Sequence, residues 1–90
     1  MKPYIDEKIN NSSFLRTFRH NIPNKELIWH RDKKNRIVTI LEGDDWEIQF
    51  DNQLPKKLFK NDKFLIPANI FHRIKLGKTD LKIKIEEFED

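Results

Sequence analysis

The stretch Asn61–Ile74, NDKFLIPANIFHRI, decides the fold. It predicts a tight turn, a short apolar strand that ends at Pro67, a second turn through Asn69, and a strand that carries His72. Proline has no N–H to donate to a β-ladder, and asparagine is the residue other than glycine that best tolerates a left-handed backbone. Alternate residues of a strand share a face, so His72 points to the same side as Ile70, Ile74 and Leu76. A histidine on an apolar face needs a hydrogen bond, a carboxylate or a metal as its partner.

The rest of the chain also consists of short apolar segments separated by turn residues. Such segments at roughly 8–12-residue spacing predict an all-β sandwich or barrel, and no segment has a helical pattern. Pro55 predicts that the segment Leu54–Leu58 is an edge strand. The residues before Ser13 are polar and predict an N-terminal arm. Outside the opening stretch, the predicted strands are Ser13–His20, which could lie at an edge or in an interface, Glu26–His30, Arg36–Leu41, Trp46–Phe50, Leu54–Leu58 and Leu81–Ile85.

Length and composition limit the class of protein. Ninety residues allow one domain with a single small core. There is no cysteine, so neither disulfides nor thiolate metal sites are available. No apolar run is long enough for a membrane span, and the N-terminus has no signal-peptide core, so we expect a cytoplasmic protein with no membrane partner.

The charge distribution does not favour a nucleic-acid partner. A net charge of +3 arises from 18 basic and 15 acidic residues, mostly interspersed, which is typical of a solvated surface. The lysines between Lys56 and Lys63 flank Phe59, and basic residues among aromatics can form a single-stranded nucleic-acid surface. Lysines on edge strands also discourage aggregation, and we prefer that interpretation.

Two motifs in the chain resemble the two signature motifs of the cupin family. The first family motif runs Gly, five residues, His-x-His, three or four residues, Glu, six residues, Gly. The second runs Gly, five residues, Pro-x-Gly, two residues, His, three residues, Asn. This chain keeps every spacing in both, with asparagine at three of the glycine positions. The corresponding residues are Asn24, His30, Asp32, Arg36 and Gly43 in the first motif, and Asn61, Pro67, Asn69, His72 and Leu76 in the second.

The resemblance covers about two-thirds of the chain and implies a small, single-domain cupin with a degenerate metal motif. The expected fold is an all-β barrel or jelly roll of two packed antiparallel sheets. We expect residues 24–90 to form the barrel, and residues 1–23 to form an N-terminal arm or edge strand that could lie within a dimer interface. Phe71 has the parity opposite to His72 and should point outward, which suggests a homodimer contact.

Cupins usually hold a divalent metal with two His and a Glu of the first motif and the His of the second. Here His30 and His72 are retained, Asp32 replaces the second His, and Arg36 replaces the Glu. The resemblance therefore implies a site of two imidazoles and one carboxylate, which suits Fe(II), Mn(II), Ni(II) or Zn(II). Related oxygenases order their ligands in this way, but they are longer chains, so we do not transfer their activity. Arg36 opposes a metal by repulsion of a few kcal/mol, to order of magnitude.

Two other interpretations remain open at this point. In one, the pocket holds no metal and Arg36 grips a carboxylate or phosphate, with Trp29 and Trp46 as apolar walls. In the other, Asp32 and Arg36 pair with each other and the domain has only a structural or interaction role. The leading prediction is binding of a metal by His30, Asp32 and His72 and of a small, anionic molecule by Arg36. The reaction, if there is one, does not follow from the sequence.

Overall fold

The computed structural model describes residues 2–23 and 27–89, in which all regular structure is β-strand. None of these residues belongs to a helix that could span a bilayer. The strands form two antiparallel sheets, one of five strands in the order β1-β2-β8-β3-β6 and one of three in the order β5-β4-β7. The strands are β1 (Tyr4–Lys8), β2 (Ser13–Phe18), β3 (Asn35–Glu42), β4 (Glu47–Phe50), β5 (Lys56–Lys57), β6 (Lys63–Ile66), β7 (His72–Lys75) and β8 (Leu81–Phe88).

The last strand, β8, is the centre of the larger sheet. It pairs with β2 on one side and with β3 on the other, so that Ile85 lies between Phe14 and Val38. Its apolar residues alternate with charged ones, as the sequence predicts for a strand with one face on a core. The buried hydrophobic residues come from both sheets and from the loops at their ends: Phe18, Leu27, Val38, Ile40, Trp46, Ile48, Leu58, Ile66, Leu81, Ile83 and Ile85.

Two of the asparagines that replace motif glycines have the backbone conformation that glycine favours. Asn61 has φ of 74° and Asn69 has φ of 66°, both in the left-handed region. The Asn69 turn also reaches the first motif, because its N–H donates to the carbonyl of Asp32 at 2.7 Å. Asn24, the third such asparagine, lies outside the described residues. The aligned motifs therefore correspond to real turns at both described positions.

Of the two alternatives for the N-terminal residues, an arm or an edge strand, the residues before Ser13 form an edge strand, β1, of the larger sheet. Two other expectations about the strands need correction. The predicted strand Ser13–His20 is β2, which lies inside the sheet rather than at its edge. Of the predicted strand Glu26–His30, the described part (27–30) contains only an isolated bridge at His30, and Glu26 lies outside the described residues.

The prediction of an all-β fold with two antiparallel sheets is confirmed, but the sheets are not closed into a barrel. Strands β6 and β7 follow each other in sequence and lie at the edges of different sheets. Pro67 cannot extend the ladder of β6, and the turn at Asn69 then leads the chain into the other sheet. The predicted edge position of the Pro55 segment is also confirmed, since β5 ends the smaller sheet.

The left-handed turn at Asn69 predicts a specific pattern of stability. We expect Asn69→Ala to be less stable than Asn69→Gly by about 1 kcal/mol, because a Cβ without a local hydrogen-bonding group is disfavoured at positive φ. Urea denaturation of the two variants measures the difference. The exposed Asn11, which is not at positive φ, provides the control: there the alanine variant should be at least as stable as the glycine variant. Equal effects at both positions would contradict the assignment of Asn69 to a glycine position.

Candidate metal centre

His30 and His72 are joined through their backbones. The N–H of His30 donates to the carbonyl of His72 at 3.0 Å, and the N–H of His72 donates to the carbonyl of His30 at 2.9 Å. This isolated bridge attaches the loop before β3 to the first residue of β7. Directly paired residues in an antiparallel bridge place their side chains on the same side. The two imidazole rings accordingly meet edge to face, with 4.3 Å between their centroids.

The backbone also fixes the tautomer of each imidazole. Nδ1 of His72 lies 2.9 Å from the carbonyl oxygen of Ile70, and Nδ1 of His30 lies 3.1 Å from that of Ile28. A carbonyl oxygen can only accept, so each Nδ1 carries the hydrogen and donates it. In the neutral ring, Nε2 is then left with a free lone pair. Both histidines therefore have Nε2 available as a ligand atom.

Asp32 faces one of these lone pairs with an oxygen that has no hydrogen bond. Its Oδ2 lies 3.4 Å from Nε2 of His72, and within the described residues it is buried without a hydrogen-bond partner. Burial lowers the pKa of His72; the hydrogen bond to Ile70 and the charge of Asp32 act in the opposite direction. Burial favours the neutral ring, in which two acceptors face each other. Such an arrangement is unfavourable unless a hydrogen-bond donor or a cation lies between them.

The donor set passes the test of fit for a divalent metal. Each of His30, Asp32 and His72 offers one atom, and these atoms all lie within 4.8 Å of one another. Metal–nitrogen and metal–oxygen bonds of about 2.0–2.2 Å would place donor atoms about 3–4 Å apart, close to the spacing present. Two imidazoles and a carboxylate suit first-row metals such as Fe(II), Mn(II), Ni(II) and Zn(II). The residues therefore fit the group that the sequence predicts.

Arg36 has two carboxylate partners. Its Nη1 lies 3.3 Å from Oδ1 of Asp32, and its Nε and Nη2 each lie 3.0 Å from Oε2 of Glu87. Glu87 carries no signal in the sequence pattern, because it stands 51 positions away and comes opposite Arg36 only through the register of β3 and β8. If both histidines are counted as neutral, the formal charges of Arg36, Asp32 and Glu87 sum to −1. The repulsion expected between Arg36 and a metal is therefore offset by two carboxylates.

The four polar side chains His30, Asp32, Arg36 and His72 line one cavity of about 430 Å³ between the sheets. Most of the remaining wall is aliphatic or aromatic. The volume is in the range of pockets that hold small organic molecules. The apolar lining residues are Phe18, Leu27, Ile28, Val38, Ile40, Ile48, Leu58, Phe64, Ile66, Ile74, Ile83 and Ile85.

Neither tryptophan that we expected to line the ligand pocket does so. Trp46 is fully buried, and its indole N–H donates to the carbonyl of Thr79 at 2.6 Å. Trp29 is 40% exposed, and its ring contacts the guanidinium of Arg73 at 4.8 Å. Strand parity correctly places Trp46 on the inward face, but it does not say which part of the core the ring fills.

Comparisons with known proteins identify the fold. No family model and no curated protein matches the sequence. Solved structures do match: a cupin domain from Bordetella pertussis Tohama I has a TM-score of 0.65 and 14% identity, over 98% of this chain and 97% of that one. The chain has the cupin fold. A cupin superfamily protein from Desulfitobacterium hafniense DCB-2 has a TM-score of 0.67 and 22% identity, over 97% of this chain and 76% of that one.

A metal-containing cupin-like structure is also among the matches. The Co(II) form of HppE, in complex with Tris buffer, has a TM-score of 0.74 and 11% identity to this chain. The match covers 98% of this chain and 55% of HppE, so this chain spans about half of that protein. At this identity the comparison shows a common cupin fold.

The contact between Arg36 and Glu87 predicts energetic coupling. Both side chains are largely buried, at 14% and 24% exposure, so Glu87→Gln should destabilise the protein by about 1–3 kcal/mol. Adding Arg36→Met to Glu87→Gln should cost less than Arg36→Met alone, with a coupling of about 1 kcal/mol or more. Urea denaturation of the wild type, both single variants and the double variant measures it.

The exposed pair of Lys82 and Glu42 provides the control for this cycle. Their charged atoms are 4.0 Å apart, and both side chains are more than half exposed. Exposed pairs contribute about 0–1 kcal/mol, so their coupling should be smaller than that of Arg36 and Glu87. Equal coupling in the two cycles would contradict a special role for the Arg36 contacts.

Proposed function

We propose that this protein binds one divalent metal through Nε2 of His30, Nε2 of His72 and the carboxylate of Asp32, and binds a small anionic molecule in the adjoining cavity. The observation that carries the proposal is the oxygen Oδ2 of Asp32, which is buried without a hydrogen-bond partner 3.4 Å from the lone pair of His72. A metal between these atoms converts the repulsion of two acceptors into two bonds.

The charges favour an anionic ligand once a metal is present. Asp32, Glu87 and Arg36 have a net formal charge of −1, so a divalent cation makes the group +1. This charge lies at the wall of a mostly apolar cavity, where electrostatic attraction is weakly screened. A bound metal would act as a Lewis acid and polarise a ligand oxygen. Arg36 contributes positive charge beside the metal, although Asp32 and Glu87 already contact part of its guanidinium group.

The solved structures of HppE support the choice of metal class, because they include Fe(II) and Co(II) forms. The donor set of this chain accepts Fe(II), Mn(II), Ni(II) or Zn(II). An oxygenase, isomerase or lyase reaction would be compatible with such a centre, but no residue contact selects among them. The proposal is therefore limited to metal and ligand binding.

The ion pair between Asp32 and Arg36 favours a second candidate, a structural role without a metal. Nη1 of Arg36 lies 3.3 Å from Oδ1 of Asp32, which stabilises the carboxylate through one of its two oxygens. The other oxygen, Oδ2, gains nothing from this contact. The two candidates differ in whether the protein retains a metal.

Elemental analysis of protein purified without an affinity tag tests the proposal. We expect about one equivalent of Fe, Mn, Ni or Zn per chain, and loss of that metal in His72→Ala and in Asp32→Asn. Reconstitution of the stripped wild type should also raise its thermal stability, by about 2.7 kcal/mol when the free metal is at a hundred times its dissociation constant.

The matched control is His20→Ala. His20 is an exposed histidine that pairs with Asp80 at 2.6 Å, so its removal should leave the metal content unchanged. Failure of the stripped wild type to bind any of the four metals, with anaerobic handling for Fe(II), would refute the metal site. A folded, metal-free protein would then support the structural role.

A further inference from the structure

Arg16 is a buried cation in the wall of the cavity, separate from the candidate metal group. It is 8% exposed and lies on the inward face of β2. The register places it beside Ile83 of β8, which in turn lies beside Ile40 of β3. Arg16 therefore interrupts a row of aliphatic side chains on the cavity wall. A guanidinium in such a place needs compensation by polar partners.

Asp6, the ion-pair partner of Arg16, accepts hydrogen bonds from only part of the guanidinium. Nε and Nη2 of Arg16 donate to the two carboxylate oxygens of Asp6 at 2.8 and 3.0 Å. The guanidinium also stacks on the ring of Tyr4, with 3.6 Å between Cζ and the ring centroid. An arginine has five N–H donors, and the two on Nη1 have no hydrogen-bond partner within residues 2–23 and 27–89. The ion pair fastens β1 to β2 and still leaves donors for another group.

Phe14 connects Arg16 to the metal group. Its ring centroid lies 5.2 Å from Cζ of Arg16 and 5.8 Å from Cζ of Arg36, so the two guanidinium carbons are at most 11.0 Å apart. Both arginines line the same cavity, and the wall around them is mostly apolar. The cavity thus has hydrogen-bond donors at Arg16, metal-ligating atoms near Arg36, and a remaining wall that is mostly apolar apart from the exposed Lys2.

We propose that Arg16 is a second anchor for the ligand, and that the cavity takes an aliphatic dicarboxylate or a similar acid with an oxyanion at each end. One carboxylate lies at the group of His30, Asp32 and His72, the other accepts hydrogen bonds from Nη1 of Arg16, and the methylene chain contacts the apolar wall. The first of these contacts rests on the proposed metal site, whereas the contact with Arg16 does not need a metal.

Calorimetric titration with matched acids tests the inference. The probes are adipate and hexanoate, which have chains of equal length and differ in the second carboxylate, with glutarate and suberate to vary the length. Each is titrated into the wild type with and without one equivalent of Zn(II). We expect adipate to bind about tenfold or more tightly than hexanoate, as is typical for a hydrogen bond between charged groups.

Two variants separate ligand recognition from the attachment of β1. Arg16→Gln removes the charge, and we expect the preference for adipate to disappear. Asp6→Asn weakens the same ion pair but keeps the arginine, so the preference should persist. Thermal unfolding of both variants is measured in parallel, since each substitution weakens or removes the ion pair between β1 and β2. If Arg16→Gln does not fold, Arg16→Lys replaces it. A lysine keeps the positive charge but lacks the planar guanidinium donors, so the preference for adipate over hexanoate should fall.

Each outcome decides between the proposals. Equal binding of adipate and hexanoate to the wild type, or no binding of either acid, would overturn the role of Arg16, whatever the metal analysis shows. Loss of the preference in both Arg16→Gln and Asp6→Asn would also overturn it, because a structural ion pair predicts that result. A preference that depends on Arg16 but not on Zn(II), in a protein that binds no metal, would refute the metal site and retain this inference.

Discussion

The register of β8 between β2 and β3 is the constraint on which the rest of the structure depends. It places Ile83 and Ile85 on the inner face, with charged side chains at the alternate positions. A slip of one residue would reverse both faces, burying charges and exposing the core. The same register brings Glu87 opposite Arg36 and Ile83 beside Arg16. One strand pairing therefore sets the core, the support of the candidate metal group and the position of the second buried arginine.

The fold was predictable because its signals are local. Strand parity gave the inward positions of Ile48 and Ile85, and two asparagines gave the turns, which have φ of 74° and 66°. These features depend on the residue and its near neighbours. The sequence was less informative about which strands lie at the edges of the sheets. The polar segment before Ser13 forms β1 by pairing with β2. Closure of the sheets depends on distances between strands, which sequence patterns do not contain.

The grouping of the candidate ligand residues was predictable from the sequence, but their electrostatic surroundings were not. Motif spacing brought His30, Asp32 and His72 together, and the structure places their donor atoms within 4.8 Å of one another. The environment of Arg36 required a pairing across 51 positions, which no periodicity reveals. Because Glu87 could not be foreseen, the sequence indicated a cation with Asp32 as its one candidate carboxylate partner. The structure instead shows an arginine whose charge is more than balanced by its neighbours.

Both cavity arginines follow one physical rule. Each is paired with a carboxylate from an adjacent strand: Asp6 of β1 for Arg16, and Glu87 of β8 for Arg36. Pairing keeps the cost of burying charge low, while an arginine retains more donors than one carboxylate can use. If the cavity binds an anion, as we propose, the positions of these remaining donors would decide which anions it accepts. Arg36, Asp32 and Glu87 have a net formal charge of −1, which is why the oxygen of Asp32 without a hydrogen-bond partner is the most informative atom for the proposed metal.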